Sequence, residues 1–78
     1  MNVVIYSKTQ CPYCVMAKQL LESKNISYKE FNIETNTEAR DFVVGKGLRS
    51  VPQIFEGDTL IGGYDKLQTW VELKEQSL

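Results

Sequence analysis

An α/β fold in the order βαβαββα, a mixed four-stranded sheet flanked by three helices, follows from three observations on the 78-residue chain. It opens with Val3-Val4-Ile5-Tyr6, a run of β-branched and aromatic residues with the character of a buried strand. Apolar residues then recur at helical spacing in three separate stretches. Between the second and third stretches, two short strand-like runs flank a glycine turn. A strand–helix–strand unit in one sheet crosses over right-handed with its strands parallel, and a hairpin adds antiparallel strands beside it.

Each element has its own signal. After the first strand, the polar break Ser7-Lys8-Thr9-Gln10 leads to Cys11-Pro12. Pro12 suits the first helical position, where its missing N–H costs nothing and its φ is already set. Val15, Ala17, Leu20 and Leu21 follow at helical spacing as far as about Lys24. Residues 26–33 read as a second strand through Ile26, Tyr28, Phe31 and Ile33. Thr35-Asn36-Thr37-Glu38 has the Thr-x-x-Glu capping-box pattern, and Ala39, Phe42 and Val43 then mark one face of a second helix. Gly45 and Gly47 end it as left-handed caps do. Pro52-Gln53-Ile54-Phe55 and Thr59-Leu60-Ile61 flank Glu56-Gly57-Asp58, which reads as a three-residue hairpin turn. Gly62-Gly63 breaks the strand, and Leu67, Trp70, Val71 and Lys74 define a last amphipathic helix. Trp70, Phe42, Phe55 and Leu67 are expected in the core.

Composition narrows the function classes. Residues 1–78 make one domain, small enough to bury only about 60% of its unfolded surface. An apolar share of 42% with 24% charged residues argues against disorder. No apolar run approaches the ~20 residues that span a bilayer. The N-terminal residues carry no basic leader and no long apolar stretch, so no signal peptide is expected. With only two cysteines, the expected compartment is the reducing cytoplasm. A net charge of −1, with Lys and Arg scattered, gives no basic stripe, and neither a nucleic-acid nor a membrane partner is expected. The chain has no histidine, and so lacks the commonest general base and metal ligand.

The chemistry therefore falls to Cys11-Pro12-Tyr13-Cys14, where the first strand hands over to the first helix. A helix N-terminus presents unpaired N–H groups and a partial positive charge, both favouring a thiolate. Lys8, three residues upstream, adds a second positive field. Such surroundings lower a cysteine pKa from about 8.5 to roughly 3.5–7.5. The three-residue offset lets Cys14 reach the Cys11 sulfur and resolve a mixed disulfide. A purely structural disulfide is disfavoured, because so short a loop gains little entropy and the compartment is reducing. A zinc half-site is disfavoured because two cysteines and no histidine leave the usual four ligands unfilled. A C-x-x-C inside a βαβ unit is a redox signature.

Together, Cys11-Pro12-Tyr13-Cys14, Ser50-Val51-Pro52-Gln53-Ile54-Phe55 and Ile61-Gly62-Gly63-Tyr64-Asp65 resemble a dithiol glutaredoxin of the thioredoxin-like fold, essentially end to end. Lys8 and Arg49 also resemble family usage. The resemblance implies an enzyme that reduces protein disulfides and glutathione mixed disulfides, with glutathione returning the electrons. Cys11 would attack and Cys14 resolve. Pro52 would be cis and lie beside the cysteines, with the Val51 backbone pairing with the peptide part of glutathione. A plain strand-start proline is the other reading of Pro52. Gly63, Tyr64 and Asp65 resemble the segment that receives the γ-glutamyl end, at a helix start suited to carboxylates. Lys8, Tyr13 and Ser50 complete the implied glutathione site. Tyr13 either packs over the thiol and lines the groove, or is an exposed ring without consequence.

At one position the chain departs from the family. Many glutaredoxins carry a second acidic residue where Lys66 stands here, which puts the usual ammonium contact in doubt. Asp65 either compensates or caps the helix. A monomer without a metal is expected, with ribonucleotide reductase considered as a protein substrate. Two alternatives remain. A glutaredoxin-like redoxin reduced by thioredoxin reductase is favoured by Gly47-Leu48-Arg49-Ser50 and Lys66. An iron–sulfur carrier using Cys11 and glutathione is opposed by the bulky Pro12-Tyr13 and the intact Cys14.

Overall fold

The computed structural model describes residues 2–76. Its elements are β1 (Val3–Ser7), α1 (Pro12–Ser23), β2 (Tyr28–Asn32), α2 (Thr37–Gly45), β3 (Gln53–Glu56), β4 (Thr59–Gly62) and α3 (Tyr64–Gln76). This is the expected order. The sheet runs β2-β1-β3-β4, with β2 parallel to β1, β3 antiparallel to β1, and β4 antiparallel to β3. The fold is α/β and thioredoxin-like, a mixed four-stranded sheet with three helices among the described residues.

β1 is central because both of its faces are apolar. Val3 and Ile5 are fully buried on one face, where Ile5 pairs with Ile54 and both join Ala17 and Leu21 of α1 and Leu67 and Val71 of α3. Trp70 packs against this cluster half-buried, and Phe55 is buried. On the other face Tyr6 stacks on Phe31 and Phe42 with centroids 5.8 and 5.2 Å apart, while Phe55 meets Tyr6 edge-on. Phe42 is not core as expected. It lies at the rim of this aromatic cluster, 39% exposed, with the Lys46 ammonium over its ring. Val15 is also exposed, because the buried stripe of α1 runs through Cys14, Ala17 and Leu21, leaving Val15 to one side.

The helix ends differ in detail from the sequence reading. α2 is capped by Asn36, whose side-chain oxygen accepts from the Ala39 N–H at 3.0 Å. Thr35 instead bonds the Asn32 carbonyl, so the capping box begins one residue too early. At the other end Gly47, with φ +76°, is the left-handed residue, and Leu48 N–H reaches back to the Val43 carbonyl. Gly45 is ordinary helix. α1 closes the same way through Asn25, with φ +58°, and an Ile26 N–H to Leu21 carbonyl bond. The hairpin turn is two residues, Gly57-Asp58, since Glu56 still pairs with Thr59. The pairing shifts between Ile54 and Phe55, leaving Ile61 as an extra residue in β4.

β1, α1 and β2 are also tied by a polar contact. Ser7, buried at the end of β1, donates its hydroxyl to Glu30 Oε2 at 2.6 Å, and Lys18 Nζ donates to the same oxygen at 2.9 Å. The Ser7 hydroxyl first, and Lys18 second, hold the Glu30 carboxyl below its ordinary value. Folding therefore favours the ionised carboxylate. The stability it contributes is present above the unfolded pKa of about 4.3 and is lost as pH falls through the lower folded value. Between about pH 5 and pH 3, the urea midpoint of the native chain should fall more steeply than that of Glu30→Gln. Parallel curves would show that this contact carries no pH-dependent stability.

Candidate active site

The loop from β1 to α1 turns sharply at Gln10, whose φ of +56° lies in the left-handed region. Cys11 then takes extended backbone, φ −122° and ψ 100°, and becomes the N-cap of α1. Its Sγ accepts from the Cys14 N–H at 3.2 Å, in the place where a serine oxygen usually sits, and its carbonyl accepts from Val15 N–H at 3.1 Å. Pro12 occupies the first turn, as its missing N–H allows. No acidic residue stands in that turn to oppose the positive end of the helix. Cys11 and Cys14 are joined in a disulfide, Cα atoms 5.2 Å apart, and are 7% and 1% exposed. Of the two bonded sulfur-bearing residues, Cys11 is the less deeply buried.

The Val51-Pro52 peptide is cis, and the Val51 carbonyl oxygen lies 3.8 Å from Cys11 Sγ. Gln53, buried at the start of β3, fixes this loop by donating to the Ser50 carbonyl and hydroxyl at 2.9 and 3.3 Å. From here a groove of about 410 Å³ runs between α1, the 50–52 loop and the start of α3. Tyr13, Ser50, Val51, Pro52, Gly63, Tyr64 and Asp65 line it. The sequence-predicted site residues of three distant segments therefore converge. Tyr13, 60% exposed, faces Tyr64 with ring centroids 6.0 Å apart, which favours its reading as groove wall.

The structure places the charged residues less simply. Asp65 stands at the start of α3, its Oδ1 close to Gly63. Lys66 does not line the groove but lies back over β4: a Cβ on Gly62 would meet its Cγ at 2.8 Å. Gly62 also has φ +126°, so close approach and backbone both require glycine there. Lys8 borders two neighbouring clefts rather than this groove. One, of about 420 Å³, joins it to Arg40, Arg49 and Val51. The other, of about 440 Å³, joins it to Cys11, Cys14, Lys18 and Glu30. The sequence reading missed Arg40, Lys18 and Glu30. Lys18 had a signal, standing one helical turn after Cys14; Glu30 comes near only through the pairing of β2 with β1.

A family model described as glutaredoxin matches residues 3–61. Glutaredoxin 3 of Escherichia coli strain K12 is 46% identical over 67 residues, covering 85% of this chain and 81% of its own. Among solved structures, glutaredoxin 1 of Francisella tularensis, complexed with cacodylate, superposes with a TM-score of 0.82 at 32% identity. That match covers 96% of both chains. A buckwheat glutaredoxin–glutathione complex gives 0.77 at 26% identity, covering 92% of this chain and 69% of its own. The family model spans more than half of the chain and the bacterial relative is well above 30% identical, so the chain belongs to the glutaredoxin family of oxidoreductases.

Proposed function

We propose that this glutaredoxin is a glutathione-linked thiol–disulfide oxidoreductase in which Cys11 attacks and Cys14 resolves. The observation that carries the reading is the groove lined by Tyr13, the 50–52 loop and the first turn of α3, whose Val51 carbonyl oxygen lies 3.8 Å from Cys11 Sγ. An extended peptide lying there pairs with the Val51 backbone, and its far carboxylate meets the unpaired N–H groups at the start of α3. Asp65 supplies the negative charge for an ammonium group at the same end. The buckwheat relative was solved with glutathione, which supports this ligand.

In the reaction, the Cys11 thiolate forms a bond to one sulfur of a substrate disulfide. The substrate S–S bond breaks, and the departing sulfur takes the electron pair and a proton. Cys14 then loses its proton and bonds to Cys11 Sγ, releasing the second substrate thiol. The dithiol is oxidised and the substrate reduced by two electrons. Two glutathione molecules reverse the change: one opens the Cys11–Cys14 bond as a mixed disulfide on Cys11, and the other removes it as oxidised glutathione. Protein disulfides are the second substrate class, with ribonucleotide reductase as the proposed partner and the cytoplasm as the proposed compartment.

The second reading, a redoxin fed by thioredoxin reductase, rests on Gly47-Leu48-Arg49-Ser50 and on Lys66, a cation where the family often has an acid, although Lys66 lies over β4 and outside the groove. An electron-donor comparison separates the two. NADPH consumption with glutathione and glutathione reductase should reduce the oxidised protein readily, and thioredoxin reductase alone should do so poorly. Reduction by the flavoprotein alone would overturn the glutathione assignment. The division of roles has its own test. Cys11→Ser should abolish all turnover, whereas Cys14→Ser should accumulate covalent mixed disulfides with protein substrates and still remove glutathione from modified thiols. Equal losses on a glutathione mixed disulfide would contradict it.

A further inference from the structure

The cluster of Ser7, Glu30 and Lys18 has no part in the reaction as written above, yet Lys18 and Glu30 line one groove with Cys11 and Cys14. Lys18 follows Cys14 by four residues on α1, so the two side chains stand on one face of the helix, with Cβ atoms roughly 6 Å apart. Helical side chains lean toward the N-terminus, the end of α1 at which Cys14 stands. Glu30 Oε2 holds the Lys18 ammonium at 2.9 Å and is itself held by the buried Ser7 hydroxyl. The other charged group in this groove is Lys8, from the loop after β1. Tyr64 and Asp65 of α3 line the other groove, and the buried Gln53 of β3 is uncharged and bonds to Ser50.

Cys14 needs help to ionise. It is 1% exposed, and burial disfavours a thiolate. We propose that Lys18, fixed by Glu30 and Ser7, is a positioning residue that sets the acidity of Cys14 and through it the rate of the resolving step. The inference rests on the reading that Cys14 resolves. In that step the Cys14 S–H proton passes to solvent and a Cys14 Sγ–Cys11 Sγ bond forms. The Cys11–substrate S–S bond breaks, and its electron pair and a proton go to the departing substrate sulfur. The Lys18 ammonium stabilises the thiolate that makes the attack. The Glu30 carboxylate tempers that field, and it remains ionised because Ser7 and Lys18 lower its pKa.

The two charges act in opposite directions, which a merely structural contact would not do. In a Cys11→Ser background, the pKa of Cys14 is read from thiolate absorbance and from the pH dependence of alkylation. Lys18→Met should raise it by about 0.5–1 unit and Glu30→Gln should lower it by a similar amount, the size expected of a unit charge in the same partly solvated groove. Lys18→Arg, which keeps the charge, should restore the original value. Lys24→Met is the control: Lys24 pairs with Glu75 at the far end of α1, about 15 Å along the axis, and should shift Cys14 by less than about 0.2 unit. In the protein with both cysteines, resolution of a mixed disulfide on Cys11 at neutral pH should slow about two- to threefold in Lys18→Met and quicken in Glu30→Gln. The change is smaller than that in thiolate fraction because a more acidic thiol is a weaker nucleophile. Shifts of the same sign in both variants, or none larger than the control, would overturn the proposal. The titration uses neither glutathione nor a reductase, so its outcome is separate from that of the donor comparison.

Discussion

The structure depends on one sulfur standing where a helix cap belongs. Cys11 Sγ takes the Cys14 N–H, so the atom that caps α1 is also the atom proposed to attack. A cap accepts hydrogen bonds better when it carries negative charge, and the positive end of a helix favours that charge. Ionising the nucleophile and starting the helix are therefore favoured by the same contact. The surrounding residues serve this arrangement. Gln10 turns the chain into it, Pro12 pre-sets the first turn, and no acid in that turn competes.

The second requirement is that a segment forty residues away arrive at the same atom. β1 achieves this by being buried on one face, half-buried on the other, and pairing with β3 in register, Ile5 opposite Ile54 and Tyr6 opposite Gln53. Gln53 then holds the loop before it, through Ser50, and Val51 is left with its carbonyl at Cys11. The aromatic cluster of Tyr6, Phe31, Phe42 and Phe55 secures the same strands from the other face. The site thus sits at the end of the sheet, where strands, a helix start and a loop meet.

Much of this was legible in the residues, because local chemistry and tertiary role coincide there. Pro12 after Cys11 marks a helix start whatever packs on it, and Val3 to Tyr6 reads as a buried strand, which the sheet places between β2 and β3. The misplaced details are those where two residues offered the same chemistry. Thr35 and Asn36 both cap helices; Gly45 and Gly47 both end them. Which one serves depends on where the chain leaves β2 and where Leu48 must turn back to Val43. Phe42 looks like core by its spacing, yet α2 presents it to the rim of the aromatic cluster, half in solvent. Of the site, the cysteines and the groove walls lie in recognisable short motifs. Glu30 does not: its place beside the cysteines is created by the parallel pairing of Glu30 with Ile5, which no local pattern announces.

The central claim is that the cap position activates Cys11. The most direct measurement is the pKa of Cys11 in a Cys14→Ser protein, followed by ultraviolet thiolate absorbance across pH. The account predicts a value within roughly 3.5–7.5, well below the ordinary thiol value of about 8.5. A Cys11 that titrates at or above about 8.5 would mean that the helix N-terminus does not ionise the sulfur it holds.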